Sequence, residues 1–376
     1  MRILEIIHKA SSAKSFIVPI SDRLVDAGYE VSLLFEEDAE VDVHSKAEVV
    51  HARVDLSANP AVLLASFVQL FRLMRRLRPD LVHVHQTRAS VLPLLVARML
   101  GFTTLYHNHG LPFLGYKGFL RSFLLCIEVI NCSLASQALF VNRTSLELMR
   151  SMQIVPWMRS GLIGRGTICG VMPSGLNLES VHERRVGARI RFGLPQHHFI
   201  VGYVGRPVVR KGFHRMVRDW ARAGLEDSQL LIAGCSMEDV HTVLPDAPGN
   251  ITAFGYLNEV QDLYLACDVI CLPSEHEGFP YSLLEAASCR CCLLASDYVG
   301  VSEVVQHMET GVVVHLQDEE ALVVALRNLR SDPELCLALG SNAQYFVESY
   351  FLRNAVLRGY DTYFSGLEKA QVVSIV

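Results

Sequence analysis

Short, almost unbroken apolar runs recur along this chain, each followed by a polar turn and then by a stretch of helical period. In the first half they occupy residues 2–7, 30–35, 48–54, 80–85, 103–107, 138–141 and 167–172. In the second they occupy residues 199–204, 230–233, 251–254, 269–272, 291–295 and 311–314. A strand that is apolar on both sides must be covered on both faces, and a parallel sheet flanked by helices does this. The segments between the runs fit: 16–27, 60–77 and 86–99 read as helices, with Gly28 and Gly101 as stops. Strand–helix alternation predicts α/β, doubly wound sheets. At 376 residues the chain exceeds one ordinary core, and the pattern resets near 175–183, so two Rossmann-like domains are expected, at 1–177 and 178–345. A helical tail begins near Ala321. Two such domains, each offering strand ends to a central cleft, suit an enzyme with two substrates.

Composition narrows the class. Hydrophobic residues make up 51% of the chain, which excludes a disordered protein, and the net charge of −5 carries no nucleic-acid signature. Most of the ten cysteines lie inside apolar runs, as Cys126, Cys132, Cys267 and Cys271 do, which fits core residues in a reducing cytoplasm. Cys289-Arg290-Cys291-Cys292 has no second pair at zinc spacing. Residues 1–7 run straight into a strand pattern, so no cleavable leader is expected, and no run approaches the ~20 apolar residues of a membrane span. The expectation is a cytoplasmic protein, free or peripheral on the inner membrane.

The chemistry gathers in the second half. Glu277-Gly278-Phe279-Pro280-Tyr281-Ser282-Leu283-Leu284-Glu285 follows the apolar run 268–272 and the breaker Pro273-Ser274. It reads as strand, loop, helix, the unit that holds ligands at the carboxyl ends of α/β strands. A helix starting near Tyr281 turns its positive end and leading amides to the loop, ready for phosphate. Carboxylates repel phosphate, so Glu277 and Glu285 are suited to hydroxyl groups. Arg206 and Lys211 lie in the turn after the run 199–204, at the same expected sheet edge, where guanidinium and ammonium together can neutralise a pyrophosphate. Each feature alone is also what a solvated surface looks like; their conjunction points to a phosphate joined to sugars. No glycine-rich fingerprint follows the first strand of either half, which disfavours a dinucleotide oxidoreductase.

In the first half, His83 and His85 share one strand face, and so do His107 and His109. Histidines two apart can bind a metal, but no Asp or Glu accompanies either pair in sequence, and no metal is expected. His83, His85 and His107 read as buried, satisfied histidines. His109, before Gly110-Leu111-Pro112-Phe113, reads as a strand-end imidazole able to bond a sugar hydroxyl or a backbone oxygen.

Val204-Gly205-Arg206 with Arg210-Lys211-Gly212, Asp268 with Pro273-Ser274, Glu277-Gly278-Phe279 with Leu284-Glu285-Ala286, Ser296-Asp297-Tyr298-Val299-Gly300 ahead of Glu303, and Thr310-Gly311 resemble the retaining GT-B glycosyltransferases of family 4. The likeness spans nearly the whole chain and is strongest over 174–314; residues 107–113 resemble the branch that builds bacterial capsule, exopolysaccharide or O-antigen. The resemblance implies an acceptor-binding first domain, a nucleotide-sugar-binding second domain, and a terminal helix, 346–376, that crosses back to the first. It implies that Arg206 and Lys211 bind the donor diphosphate, that Glu285 takes the ribose hydroxyls, and that Glu277 with Gly278 and Phe279 contacts the donor sugar. Tyr281 and Ser282 open the helix beside them, and His109 matches an active-site histidine that contacts the transferred sugar. The implied reaction keeps the anomeric configuration, uses a UDP-sugar, and needs neither cofactor nor divalent metal. The chain departs from many members in lacking a glycine pair within residues 8–15 and in having Pro280 where glycine is common.

The acceptor is expected to be lipid-linked or a saccharide. Residues 70–78, with Arg72, Arg75, Arg76 and Arg78, form a basic helix end, and residues 113–125 mix aromatics with Lys117 and Arg121. Such stretches can rest on anionic lipid, or can be an ordinary helix with arginines in water. Two other functions fit the same residues: a UDP-sugar 2-epimerase of the same architecture, and a non-catalytic sugar-nucleotide-binding protein.

Overall fold

The computed structural model describes residues 1–36, 41–52, 54 and 60–373. It divides into two compact units, one of Met1–Gly170 with Arg353–Val376, the other of Val171–Leu352. The divisions fall at 170/171 and 352/353 rather than at 177/178 and 345/346, because Val171 pairs with Leu352 as an isolated bridge inside the second unit.

The first unit is built on a parallel sheet of seven strands: β1 (Arg2–Lys9), β2 (Glu30–Glu36), β3 (Glu48–Val49), β4 (Leu81–His85), β5 (Thr103–Asn108), β6 (Gln137–Phe140) and β7 (Ser160–Leu162), in the order β3-β2-β1-β4-β5-β6-β7. The doubly wound expectation holds, with differences at the margins. The run 48–54 pairs only over Glu48–Val49, and Arg53 lies outside the described residues. The last strand is Ser160–Leu162; residues 167–172 form none. The expected loop at 8–15 is absent: β1 runs to Lys9 and the chain enters helix at Ala10, through a wide π turn at Ala13–Ile17, before Val18–Asp26. The helix Arg353–Val373 belongs here because its apolar side, with Tyr360 and Phe364, is buried. Asp361 accepts from Arg23 Nη2 at 2.6 Å, and the Tyr360 hydroxyl donates to the Ile168 carbonyl at 2.8 Å.

The second unit carries β8 (Phe199–Val204), β9 (Ser228–Ala233), β10 (Ile251–Ala253), β11 (Val269–Leu272), β12 (Cys292–Ser296) and β13 (Gly311–Val314), all parallel, in the order β10-β9-β8-β11-β12-β13. Winding from β8 runs outward to β9 and β10, then returns to β11 on the other side. The strand order therefore reverses between β8 and β11, the position at whose outgoing loops sheets of this kind hold ligands. The cysteines are free thiols, and all but Cys126 are buried.

Two packing details position the loops that matter below. Gly212 ends the turn after β8 at φ +71°, and a Cβ there would lie 1.9 Å from the Pro273 carbonyl oxygen in the loop after β11. The two loops touch backbone to backbone only because residue 212 has no side chain. In the first unit, buried Glu128 accepts from the Thr87 hydroxyl at 2.5 Å, the Tyr106 hydroxyl at 2.8 Å and Asn108 Nδ2 at 3.1 Å. Asn108 Oδ1 in turn accepts from the Gly110 amide at 2.9 Å, which shapes the turn after β5. Burial pushes the Glu128 carboxyl up to about 7, against those hydrogen bonds, which pull it down.

Gly212→Ala is expected to lower the unfolding free energy by about 3 kcal/mol in urea, since neither backbone can retreat; an unchanged midpoint would mean the loops do not meet. For Glu128 the folded protein holds the proton more tightly than the unfolded chain, whose carboxyl titrates near 4.5. Its contribution is full below that value and is lost as pH rises through about 7, a difference of roughly 3 kcal/mol. Glu128→Gln should thus gain on the wild type in thermal stability between about pH 5 and about pH 8. Parallel melting curves would refute the assignment.

Candidate active site

The sheet reversal in the second unit gathers three of the sequence-selected residues. Lys211, half-buried at the end of the turn after β8, sends Nζ to both carboxylate oxygens of Glu277 at 2.7 Å. Glu277 is 7% exposed, so its charge is met almost wholly by protein. The Ser274 hydroxyl donates to Glu277 Oε1 at 2.7 Å, and the Ser274 carbonyl accepts from the Ser296 hydroxyl on β12. Glu275 bonds through its amide to the Arg210 carbonyl at 2.9 Å, closing the two loops over the pair. A buried carboxylate with one ammonium and one hydroxyl keeps lone pairs to spare, and an ammonium with two bonds keeps a third donor.

Arg206 is exposed at the mouth of the same turn and makes no side-chain hydrogen bond or ion pair among the described residues. The buried Tyr203 phenol shares its proton between the Arg206 and Lys211 carbonyls, at 3.1 and 3.2 Å, which fixes the path of the turn. Burial pushes this phenol up; the charge of Glu277 adds to the rise and that of Arg206 opposes it, so all three lie near one another. His276, beside Glu277, is lowered to about 4 by burial and by Arg210 and Lys211, and is neutral at physiological pH.

The helix Tyr281–Ser288 starts where expected, without a side-chain cap. Its leading amides are less open than the sequence suggests: Tyr281 N–H bonds the Phe279 carbonyl, and Leu283 and Leu284 both turn to the Pro280 carbonyl. Pro280 adds no N–H of its own, so the head of the helix offers fewer free amides than the sequence suggests. Ser282 is half-buried in the first turn, and Gly278 lies in the loop. Phe279 packs its ring inward, 5.6 Å from Phe351 and 6.2 Å from Tyr281. Glu285 lies in the second turn, exposed, and accepts from the Tyr264 hydroxyl at 2.9 Å. The structure thus brings Lys211 and Glu277 into direct contact and sets Arg206 beside them, while Glu285 pairs with Tyr264. Asp268, at the start of β11, lies at the opposite strand end; it accepts from Arg189 Nη2 and the Ile200 amide, both at 2.8 Å, and holds the unit together.

In the first unit His109 is half-buried just past β5, and its Nε2 lies 3.0 Å from His85 Nδ1. Burial lowers it to about 3. The expectation that no acid accompanies the histidines fails, because Glu5 arrives from β1, 2.9 Å from His83 Nδ1 and 2.8 Å from His85 Nε2. Sequence reasoning also passed over Ser274, Tyr203, Tyr264 and Glu5. Only Ser274, three residues before Glu277, carried a local signal.

The comparisons bear on the same halves. A model described as Glycosyltransferase Family 4 matches residues 14–167, and one described as Glycosyl transferases group 1 matches residues 188–346. The chain is 24% identical to the N,N'-diacetylbacillosaminyl-diphospho-undecaprenol alpha-1,3-N-acetylgalactosaminyltransferase of Campylobacter jejuni, over 91% of this chain and 93% of the relative. It is 22% identical to the capsular polysaccharide biosynthesis glycosyltransferase CapM of Staphylococcus aureus, over 77% of each. Among solved structures, Anabaena Alr3699/HepE in complex with UDP and glucose superposes with a TM-score of 0.78 at 16% identity, covering 97% of this chain and all of that one. With both halves matched and the two reversed parallel sheets in place, the chain belongs to the family 4, group 1 glycosyltransferases of GT-B fold.

Proposed function

We propose that this protein transfers a sugar, with retention of configuration, from a UDP-sugar to a lipid-linked acceptor in the synthesis of a bacterial surface polysaccharide. The observation that carries the reading is the buried Lys211–Glu277 pair at the strand-order reversal of the second unit. The lipid-linked acceptor rests on the diphospho-undecaprenol in the name of the Campylobacter relative, and UDP on the ligand of the Anabaena structure.

In this reading Lys211 keeps two donors on Glu277 and turns the third to a phosphate oxygen, while Arg206, unpaired, takes the diphosphate in a forked contact. Glu277, held rigid by Lys211 and Ser274, accepts from hydroxyls of the donor sugar. Glu285 accepts from the ribose hydroxyls beside Tyr264. Charge grows on the leaving diphosphate as the glycosidic bond breaks, and these cations with the dipole of the helix Tyr281–Ser288 stabilise it where it grows. His109, kept neutral by burial, bonds the transferred sugar.

The first unit is also the one suited to a membrane. Arg72, Arg75, Arg76 and Arg78 are exposed at the end of the helix Pro60–Leu77, and Phe119, Leu120 and Phe123 are exposed on the helix Gly118–Leu134 beside Lys117 and Arg121. No described helix is long and apolar enough to cross a membrane. The arginines close a helix at the entry edge of β4 and the aromatics open one beyond the exit edge of β5, so these are two separate stretches, each of a kind that rests at the headgroup level of anionic lipid.

Glu277→Gln is expected to cut transfer by about 100-fold while UDP still raises the melting temperature, since Arg206 and Lys211 both remain to meet the diphosphate. Undiminished turnover, stabilisation by GDP-sugars alone, or epimerisation of the donor with no acceptor present would each refute the reading. Replacing Arg72, Arg75, Arg76 and Arg78 with Gln, or Phe119 and Phe123 with Ala, should release the protein from phosphatidylglycerol vesicles in co-sedimentation; binding that ignores both sets of changes would exclude both stretches.

A further inference from the structure

The first sheet has its own reversal of strand order, between β1 and β4, and a buried cluster lies there behind His109, whose Nε2 is 3.0 Å from His85 Nδ1, a bond that His85 gives up if that nitrogen ligates a metal. Glu5 on β1 stands in register with His83 on β4, and His85 on β4 with His107 on β5. Neighbouring strands lie about 4.8 Å apart and alternate residues share a face, so the four side chains form one patch. All four are fully buried. One ring nitrogen from each of His83, His85 and His107 lies within 4.8 Å of the other two.

The hydrogen bonding of this patch is incomplete. Glu5 bonds His83 Nδ1 and His85 Nε2, but His83 Nε2 and both ring nitrogens of His107 have no partner among the described residues. A buried polar atom without a partner is costly, so three of them call for an occupant. The buried Glu5 carboxylate also calls for a positive charge, and no Lys or Arg among the described residues is bonded to it. A cation among the imidazoles answers both demands.

We propose that His83, His85 and His107 bind a divalent transition-metal ion of the zinc class, with the Glu5 carboxylate balancing its charge and orienting the rings. Three imidazoles beside a carboxylate are a donor set that zinc accepts, and a carboxylate bonded to a ligand imidazole is the usual way such a ring is held. Ligands around a tetrahedral ion stand about 3.3 Å apart, so nitrogens within 4.8 Å of one another close in by at most about 1.5 Å on binding. The patch is sealed by the helix Arg353–Val373, whose Tyr360 and Phe364 rings lie 6.2 Å from His107 and 5.9 Å from His83. The four side chains are fully buried, so the ion is structural, a strap across β1, β4 and β5 that also fixes His85 behind His109. Nothing in this inference depends on the donor, the acceptor or the transfer step.

The test is the metal content of the full chain, expressed with zinc, desalted and measured by mass spectrometry, with cobalt substitution as an optical readout. About one zinc per chain is expected, lost in His107→Gln and kept in His197→Gln. The second variant controls for a surface group, His197, His198 and Asp227, that could also take a metal. Should His107→Gln fail to fold, the cobalt spectrum of His197→Gln decides: tetrahedral bands kept in that variant, without a thiolate charge-transfer band, support the site. A folded wild type that takes up neither zinc nor cobalt overturns the proposal. So does zinc retained by His107→Gln, zinc lost with His197→Gln, or a cobalt–thiolate band.

Discussion

A carboxylate taken out of water must be met by positive charge or by hydrogen-bond donors, and the polar interior of this protein is arranged around three that are. Glu277 is answered by an ammonium and a hydroxyl, Glu128 by two hydroxyls and an amide, and Glu5 by two imidazoles. Each answer is different, and so is the consequence. An ammonium keeps Glu277 charged and rigid, which suits contact with a ligand. Neutral donors let burial win at Glu128, which is pushed up to about 7, and through Asn108 it braces the turn carrying His109. Imidazoles leave Glu5 short of a fixed cation, which is where an ion has a reason to bind.

These groups lie where the sheets permit them. The parallel strands are covered on both faces, so their middles are apolar, and polar side chains collect toward strand ends and at reversals of strand order. In the second unit the reversal separates β8 from β11, and the two outgoing loops supply Lys211 and Glu277. The contact is close because Gly212 lets one backbone reach the other. In the first unit the reversal separates β1 from β4, and register alone sets Glu5 against His83. One topology, used twice, has built two unlike polar centres.

Membership of the glycosyltransferase family narrows the chemistry, and the details of this chain bear on how it is carried out. Pro280 removes a donor at the head of the helix Tyr281–Ser288, and the neighbouring amides are bonded locally. The burden of meeting a diphosphate then falls on Arg206 and Lys211. Arg206 is exposed and unpaired while Lys211 is held by Glu277, so one cation is free to move with a ligand and the other is fixed in place.

Read in order, the residues alone determined the strand-and-helix alternation, the two parallel sheets, the turn with Arg206 and Lys211, and the loop with Glu277. Those features are local: an apolar run of strand length, a breaker and a helical period are visible within some twenty residues. Missed were the partners that come from far along the chain. Tyr264 reaches Glu285 from a separate helix, and Glu5 reaches His83 across 78 positions. A glutamate in an apolar strand reads as an interruption until register shows what faces it. Strand order and register belong to the folded sheet, and they decided which carboxylate meets which cation, and which histidines were left without a partner.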